Sequence, residues 1–266
     1  MRLTESERIV ERMHGSIDQA DSKDARRDSP ATSCDRHPGS DALVVYVHVP
    51  KAGGRSMMRM LRDVYRDRLL VAHPKGWPQV LPDEVLREIG ERPQFYQAFS
   101  GHHAFGVHEV FGRPARYITT VREPLLRLES YYNFVKRWEI HHHHKAAAER
   151  NIQQFFEYLI DLNDIEISNL QCLLMCGKKS FDCAHGNLEQ NFDFVIPLPC
   201  LVQAPPLLAE TFGWSFVPEV HHENETRHKE VMAELSGSMI AALSAMNSED
   251  RQLYEYAERR WSKIRR

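Results

Sequence analysis

Lys51 stands two residues ahead of the pair Gly53 and Gly54 in the stretch VYVHVPKAGGRSMMRML, residues 45–61. An apolar run precedes it, and Met57, Met60, Leu61, Val64 and Tyr65 follow at helical spacing. A glycine loop between a strand and a helix suits an anion: backbone N–H groups converge at the helix N-terminus, the dipole favours negative charge, and glycine lets a phosphate approach closely. The pattern predicts a phosphate-binding loop. It is not the nucleoside-triphosphatase loop G-x-x-x-x-G-K-[ST], in which the lysine follows the glycines and a hydroxyl holds magnesium. With the lysine first, its ammonium is expected near the strand end, on the other side of the loop.

A second junction of the same kind is YITTVREPLLRLESYYNF, residues 117–134. Arg122 falls at the strand end, and Ser130 lies two helical turns on, beside Arg127. A planar guanidinium makes paired charge-assisted hydrogen bonds to a phosphate, and a serine adds a neutral donor. Two phosphate-binding junctions on neighbouring strands imply a bis-phosphorylated nucleotide.

Other clusters invite metal chemistry. The run His141 to His144, flanked by KRWEI and Lys145, could take a metal or an acidic acceptor; it reads as a solvated loop, because no carboxylate or cysteine nearby completes a cage. Cys172 and Cys176 sit four apart on an apolar helical face, with Cys183 and His185 beyond, and read as core thiols rather than a zinc knuckle. Trp77 and Trp138 could stack on a sugar ring, with packing the default.

The elements that must position these residues alternate. Leu43 to Val49, QFYQAFSG, ARYITTV and FDFVIPL read as buried strands. PLLRLESYYNFVKRW, with Pro124 in its first turn, IQQFFEYLIDL and EISNLQCLLMCG, with Gly177 as C-cap, read as helices. The chain then turns helical, through HKEVMAELSGSMIAALSAM and SEDRQLYEYAERRWSKI, with Asn247 and Ser248 as candidate caps between them. The expected class is α/β, a central parallel sheet flanked by helices. Residues 14–41 are rich in Asp, Ser, Arg, Lys, Gly and Pro, so 1–41 reads as a mobile polar tail and 42–266 as the domain. No repeat is found.

A chain of 266 residues, 42% hydrophobic and 9% aromatic, can bury a sizeable core. Its 34 Lys and Arg against 37 Asp and Glu give a net charge of −3, which provides no global field for nucleic acid or anionic membrane, so an anion site must be local. The N-terminal stretch lacks the apolar core of a signal peptide and no segment reaches membrane-spanning length, so a cytoplasmic location is expected. Five cysteines, an odd number in a long chain, suggest reduced thiols.

The two junctions, in this order, resemble those of the sulfotransferases that use 3′-phosphoadenosine 5′-phosphosulfate (PAPS), especially the branch of heparan and chondroitin O-sulfotransferases. The likeness spans most of residues 42–262. In that family a P-K-x-G-G-[ST]-[ST] loop binds the 5′-phosphosulfate; here it stands as Pro50, Lys51, Ala52, Gly53, Gly54, Arg55 and Ser56. An R-[DE]-P-x-x-R-x-x-S element binds the 3′-phosphate; here it is Arg122, Glu123, Pro124, Arg127 and Ser130. FSGHHAF, NLQCLLMCG, FDFVIPLPCLVQAPPLLAETFGW, HENETRH and DRQLYEYAERRW add further similarity. Arg55 departs from the pattern, placing a positive charge where the family carries Ser or Thr.

The resemblance implies a P-loop-like fold, PAPS as donor and 3′,5′-adenosine bisphosphate (PAP) as product, and a hydroxyl acceptor on a carbohydrate or small metabolite. Lys51 would neutralise charge on the bridging oxygen, and the N–H groups from Gly53 to Met57 would hold the 5′-phosphate. Arg122 and Ser130 would hold the 3′-phosphate, with Arg127 contacting it or orienting the site. His102 would take the acceptor proton, with His103 in reserve and Glu109 as another base. Asn224, Thr226 and Arg227 would close over the nucleotide. No metal is required in principle, since fixed Lys and Arg can neutralise a sulfuryl group. Two rivals remain: an ATP-dependent kinase, needing magnesium and a lysine after the glycines, and a catalytically silent nucleotide-binding module.

Overall fold

The computed structural model describes residues 42–72, 81–221 and 231–264. In chain order the elements are β1 (Leu43–Val47), α1 (Gly54–Tyr65), β2 (Leu69–Val71), α2 (Asp83–Glu91), β3 (Ala98–Gly101), β4 (Ala115–Val121), α3 (Pro124–Arg137), α4 (His144–Glu149), α5 (Ile152–Asp161), α6 (Leu170–Cys176), α7 (Phe181–Asn191), β5 (Phe192–Pro197), α8 (Ala204–Phe212), α9 (Gly237–Met246) and α10 (Ser248–Ile264). The five strands form one parallel sheet in the order β2-β3-β1-β4-β5. β1 is therefore central, and the loops that leave β3, β1 and β4 emerge side by side at the C-terminal edge.

Every residue of β1 is buried, because helices cover both faces of the sheet. Leu43, Val45 and Val47 point to the layer containing Leu173 and Met175 of α6, Leu188 of α7 and Leu253 of α10. Val44 and Tyr46 point the other way, onto Met57, Met60 and Leu61 of α1 and Leu208 of α8. A third apolar cluster joins α3, α5 and α9 through Leu128, Val135, Phe155, Phe156, Met239 and Leu243.

Some elements are shorter than their apolar patterns suggest. In QFYQAFSG only Ala98–Gly101 pairs as strand, and the expected strand over 43–49 ends at Val47. The helix expected over HKEVMAELSGSMIAALSAM is broken in its described part: Val231–Glu234 is a 3₁₀ turn, and α9 starts at Gly237 behind Ser236, whose hydroxyl accepts from Met239 N. Asn247 and Ser248 do not cap α10 by themselves. Asn169 Oδ1 accepts from the N–H groups of Glu249 and Asp250, while Asp250 Oδ1 and Oδ2 accept from Cys172 and Gln171, so α6 and α10 cap each other. Asn247 contributes across the same junction, accepting from Asn169 N.

Candidate active site

The first junction is built by two glycines with different tasks. Gly53 sits at φ 88, in the left-handed region, and a Cβ there would lie 2.4 Å from Leu198 Cδ1. Gly54 opens α1 beneath the His48 ring, where a Cβ would lie 1.6 Å from Nε2. Lys51 itself adopts φ 67, which is uncommon for a residue with a Cβ. Its half-buried Nζ lies 4.1 Å from the centroid of the Phe134 ring of α3. Burial, then the charges of Arg55, Arg137 and Arg122, push the ammonium down to about 8, against the opposing pull of Glu166. Four cations thus gather around one loop, balanced in part by Glu166 near Lys51 and by Glu129 and Glu123 near Arg122. Arg55 is exposed in the first turn of α1, Ala52 and Met57 are buried, and the Ser56 hydroxyl donates to His221 O at 2.7 Å.

The second junction is cross-linked. Arg122 Nη1 donates to Lys51 O at 3.2 Å, tying the two loops together. The Arg122 backbone is clamped by Gln171 of α6, whose Oε1 accepts from Arg122 N at 2.9 Å and whose Nε2 donates to Arg122 O at 2.8 Å. Glu123 caps α3 by accepting from Leu126 N at 2.8 Å, with Pro124 in the first turn. Arg127 is fully buried; its Nη1 lies 3.3 Å from Glu166 Oε2 and its Nη2 donates to Glu166 O. Ser130 lies half-buried farther along α3.

The third strand end carries the histidines. Gly101 is where a Cβ would meet Ala72 O at 1.7 Å, so β3 leaves the sheet tight against β2. His102 follows, half-buried, its ring edge-on to His48 at 4.2 Å between centroids. His103 turns inward, buried against Phe99 with Nδ1 3.0 Å from Ala104 O. Glu109 is exposed on the 3₁₀ turn Val107–Phe111. Lys51, Arg122 and His102 therefore stand at the C-terminal ends of three adjacent strands, where open parallel sheets bind ligands. Asn224, Thr226, Arg227 and Trp77 lie outside the described residues.

A family model described as "Sulfotransferase family" matches residues 40–257. The chain belongs to this sulfotransferase family. No curated protein matches it. The family implies transferase chemistry, and the loop at the end of β1 suits it: Lys51, Arg55, Arg122 and Arg137 supply positive charge there, and Gly53 and Gly54 let the loop pack against Leu198 and His48.

The structure revises the histidine run. His143 is buried and His141 and His144 are half-buried, so the segment is not a solvated loop. A carboxylate does stand nearby: Asp164 Oδ2 lies 2.8 Å from His143 Nε2. The cysteines fit the expectation of core thiols most fully at Cys172, which is buried, while Cys176 and Cys183 are half-buried. Cys172, Cys176, Cys183 and Cys200 are free thiols. His185 faces Glu189 and Tyr256. Trp138 packs on Phe134 at 4.8 Å and His141 at 5.9 Å between ring centroids. No helix among the described residues is long and apolar enough to cross a membrane.

Sequence reasoning missed His48, Phe134, Glu166 and Gln171. His48 had a usable signal, its place at the strand end just before Pro50 and Lys51. The other three touch the site only through tertiary packing.

Proposed function

We propose that this sulfotransferase-family protein transfers a sulfuryl group from PAPS to an acceptor hydroxyl on a carbohydrate or small metabolite. Residues 42–266 form the catalytic domain, of the P-loop-like kind, behind the segment 1–41. The observation that carries the reading is the joining of the two junctions: Arg122, at the end of β4, donates to the Lys51 carbonyl at the end of neighbouring β1. One loop suits the 5′-phosphosulfate and the other the 3′-phosphate of a single nucleotide. Burial first, and then the charges of Arg55, Arg137 and Arg122, lower Lys51, and a polyanion would offset both, so the residues fit the donor.

Transfer breaks the bond from sulfur to the phosphate bridging oxygen and forms one from sulfur to the acceptor oxygen. The Lys51 ammonium neutralises the leaving oxygen, while N–H groups of Gly53, Gly54, Arg55 and Ser56 hold the 5′-phosphate; those of Ala52 and Met57 donate instead to Val49 O and Gly53 O. Arg122 and Ser130 hold the 3′-phosphate, Asn224, Thr226 and Arg227 close over the nucleotide, and His102 takes the acceptor proton. Arg127 acts as a positioning residue, because its guanidinium is buried against Glu166. Of the two histidines, His102 is half-buried at the strand end, whereas His103 is buried against Phe99.

Thermal stability measured with PAP, and separately with ATP and magnesium, tests this reading, since a ligand that binds only the folded state raises the melting temperature. A rise with PAP that disappears in Arg122→Ala is expected. A rise only with ATP and magnesium would replace sulfuryl with phosphoryl transfer, and unchanged transfer by His102→Ala would remove the base assignment.

A further inference from the structure

The turn between α3 and α4 and the connection after α5 bring three ligating side chains together away from the nucleotide loops. His142, His143 and Asp164 each offer one donor atom, and these atoms lie within 4.8 Å of one another. Among the described residues this is the one such group of three. We propose that it is a binding site for one zinc-type divalent ion, with two imidazoles and one carboxylate as ligands and an outer position open to water.

The donor set and its setting favour a borderline transition metal over magnesium or calcium, which prefer all-oxygen cages. His143 Nε2 and Asp164 Oδ2 are 2.8 Å apart as a hydrogen-bonded pair. Ligands of a tetrahedral zinc at about 2.0–2.1 Å from the metal stand roughly 3.3 Å apart, so the pair needs to open by only about half an ångström. The ring of His142 already lies 3.9 Å from that of His143 between centroids. An ion pair alone accounts for His143 and Asp164 and gives His142 no task.

The surrounding bonds orient the ligands as metal sites require. The Tyr158 hydroxyl lies 3.4 Å from His143 Nδ1, which directs Nε2 toward Asp164. Asp164 Oδ1 accepts from Glu166 N at 2.8 Å, which leaves Oδ2 to face the histidines. His143 N donates to His141 Nδ1 at 3.1 Å, engaging that nitrogen inside the turn. His143 and Asp164 are largely sequestered, whereas His142 is exposed and supplies the entry path.

Bound there, the ion would pin the turn before α4 to the segment carrying Glu166, the partner of Arg127. The same turn carries His141, whose ring lies 5.8 Å from that of Phe134, beneath Lys51. The site is therefore structural, one layer behind the anion loops, and it does not rest on the nature of the donor.

The test uses the full chain freed of metal with a chelator and titrated with cobalt(II), followed by visible absorption. One equivalent should produce the intense visible bands of tetrahedral cobalt, zinc should displace them, and zinc should raise the melting temperature. His142→Ala and Asp164→Asn should each weaken cobalt binding at least tenfold while melting like the parent chain in chelator; His185→Ala, remote from the cluster, should bind normally. Absence of the bands would overturn the proposal. So would bands that persist in both ligand variants, or a near-ultraviolet sulfur charge-transfer band, which would place the ion on cysteines.

Discussion

The two strand-to-helix junctions serve neighbouring positions on one sheet edge but are built in opposite ways. After β1, Lys51 holds a left-handed backbone, its ammonium is lowered by burial and neighbouring arginines, and two glycines admit the Leu198 and His48 side chains against the loop. After β4, the chain is capped by Glu123, clamped by Gln171 and anchored by the Arg127–Glu166 pair. One junction gathers like charge; the other spends its polar groups on rigidity. A site that must both hold and react with an anion needs this division, because a lysine already neutralised by a protein carboxylate has less to offer a leaving group.

Substitutions at each junction should separate these roles. Lys51→Met should lower sulfuryl transfer by roughly 10³-fold or more, in the range seen when a transition-state charge stabiliser is removed, with only modest loss of PAP affinity. The same variant should be more resistant to denaturant than the parent, by about 1 kcal/mol once solvent screening is allowed for, since it removes a partly desolvated charge. A destabilised Lys51→Met would mean that the loop is not strained by charge. Arg127→Ala should do the reverse, costing about 3–5 kcal/mol in denaturant melts by leaving Glu166 without its buried partner. If stability holds and PAP affinity collapses instead, Arg127 belongs among the ligand contacts.

Gly54→Ala sharpens the contrast sterically. A Cβ would strike the His48 ring, so a loss of about 1–3 kcal/mol is expected despite alanine's better helix propensity. Most of it should return in Gly54→Ala with His48→Ala, and strictly additive losses would show that the ring is not the obstacle.

The smallest effect is that of pH. Lys51 is protonated below about 8, so PAP affinity should be level there and decline as pH rises through that value, with bound anion moving the midpoint upward. For stability the sign is opposite. The folded state holds this proton less tightly than the unfolded chain, whose lysine titrates near 10.5, so the parent should gain on Lys51→Met as pH climbs from about 8 toward 10.5. Parallel curves for parent and variant would remove Lys51 as the titrating group.

Much of this arrangement is legible in the chain itself. The apolar runs of β1, β4 and β5 announce buried parallel strands, and K-x-G-G and R-E-P announce anion-binding turns, because backbone geometry at such turns is dictated locally by glycine and proline. The weaker elements, β2, α2, α7 and α8, lack a decisive period. The break before Gly237 had its signal in Ser236-Gly237-Ser238, a capping and turn sequence set inside an otherwise helix-forming run. The histidine run looked solvated because Asp164, which makes it a cluster, lies 21 residues beyond His143, behind the two helices α4 and α5.

What the sequence determined alone was the alternation of elements, the two strand-to-helix junctions with their Lys51 and Arg122, and the family to which the chain belongs. Only the tertiary structure decided that Lys51 is lowered, that Arg127 faces inward to Glu166, that His103 rather than His102 turns into the core, and that Gln171 holds Arg122. Local steric rules act between neighbours in the chain, whereas burial and electrostatics depend on which distant side chains the packed sheet brings within a few ångströms.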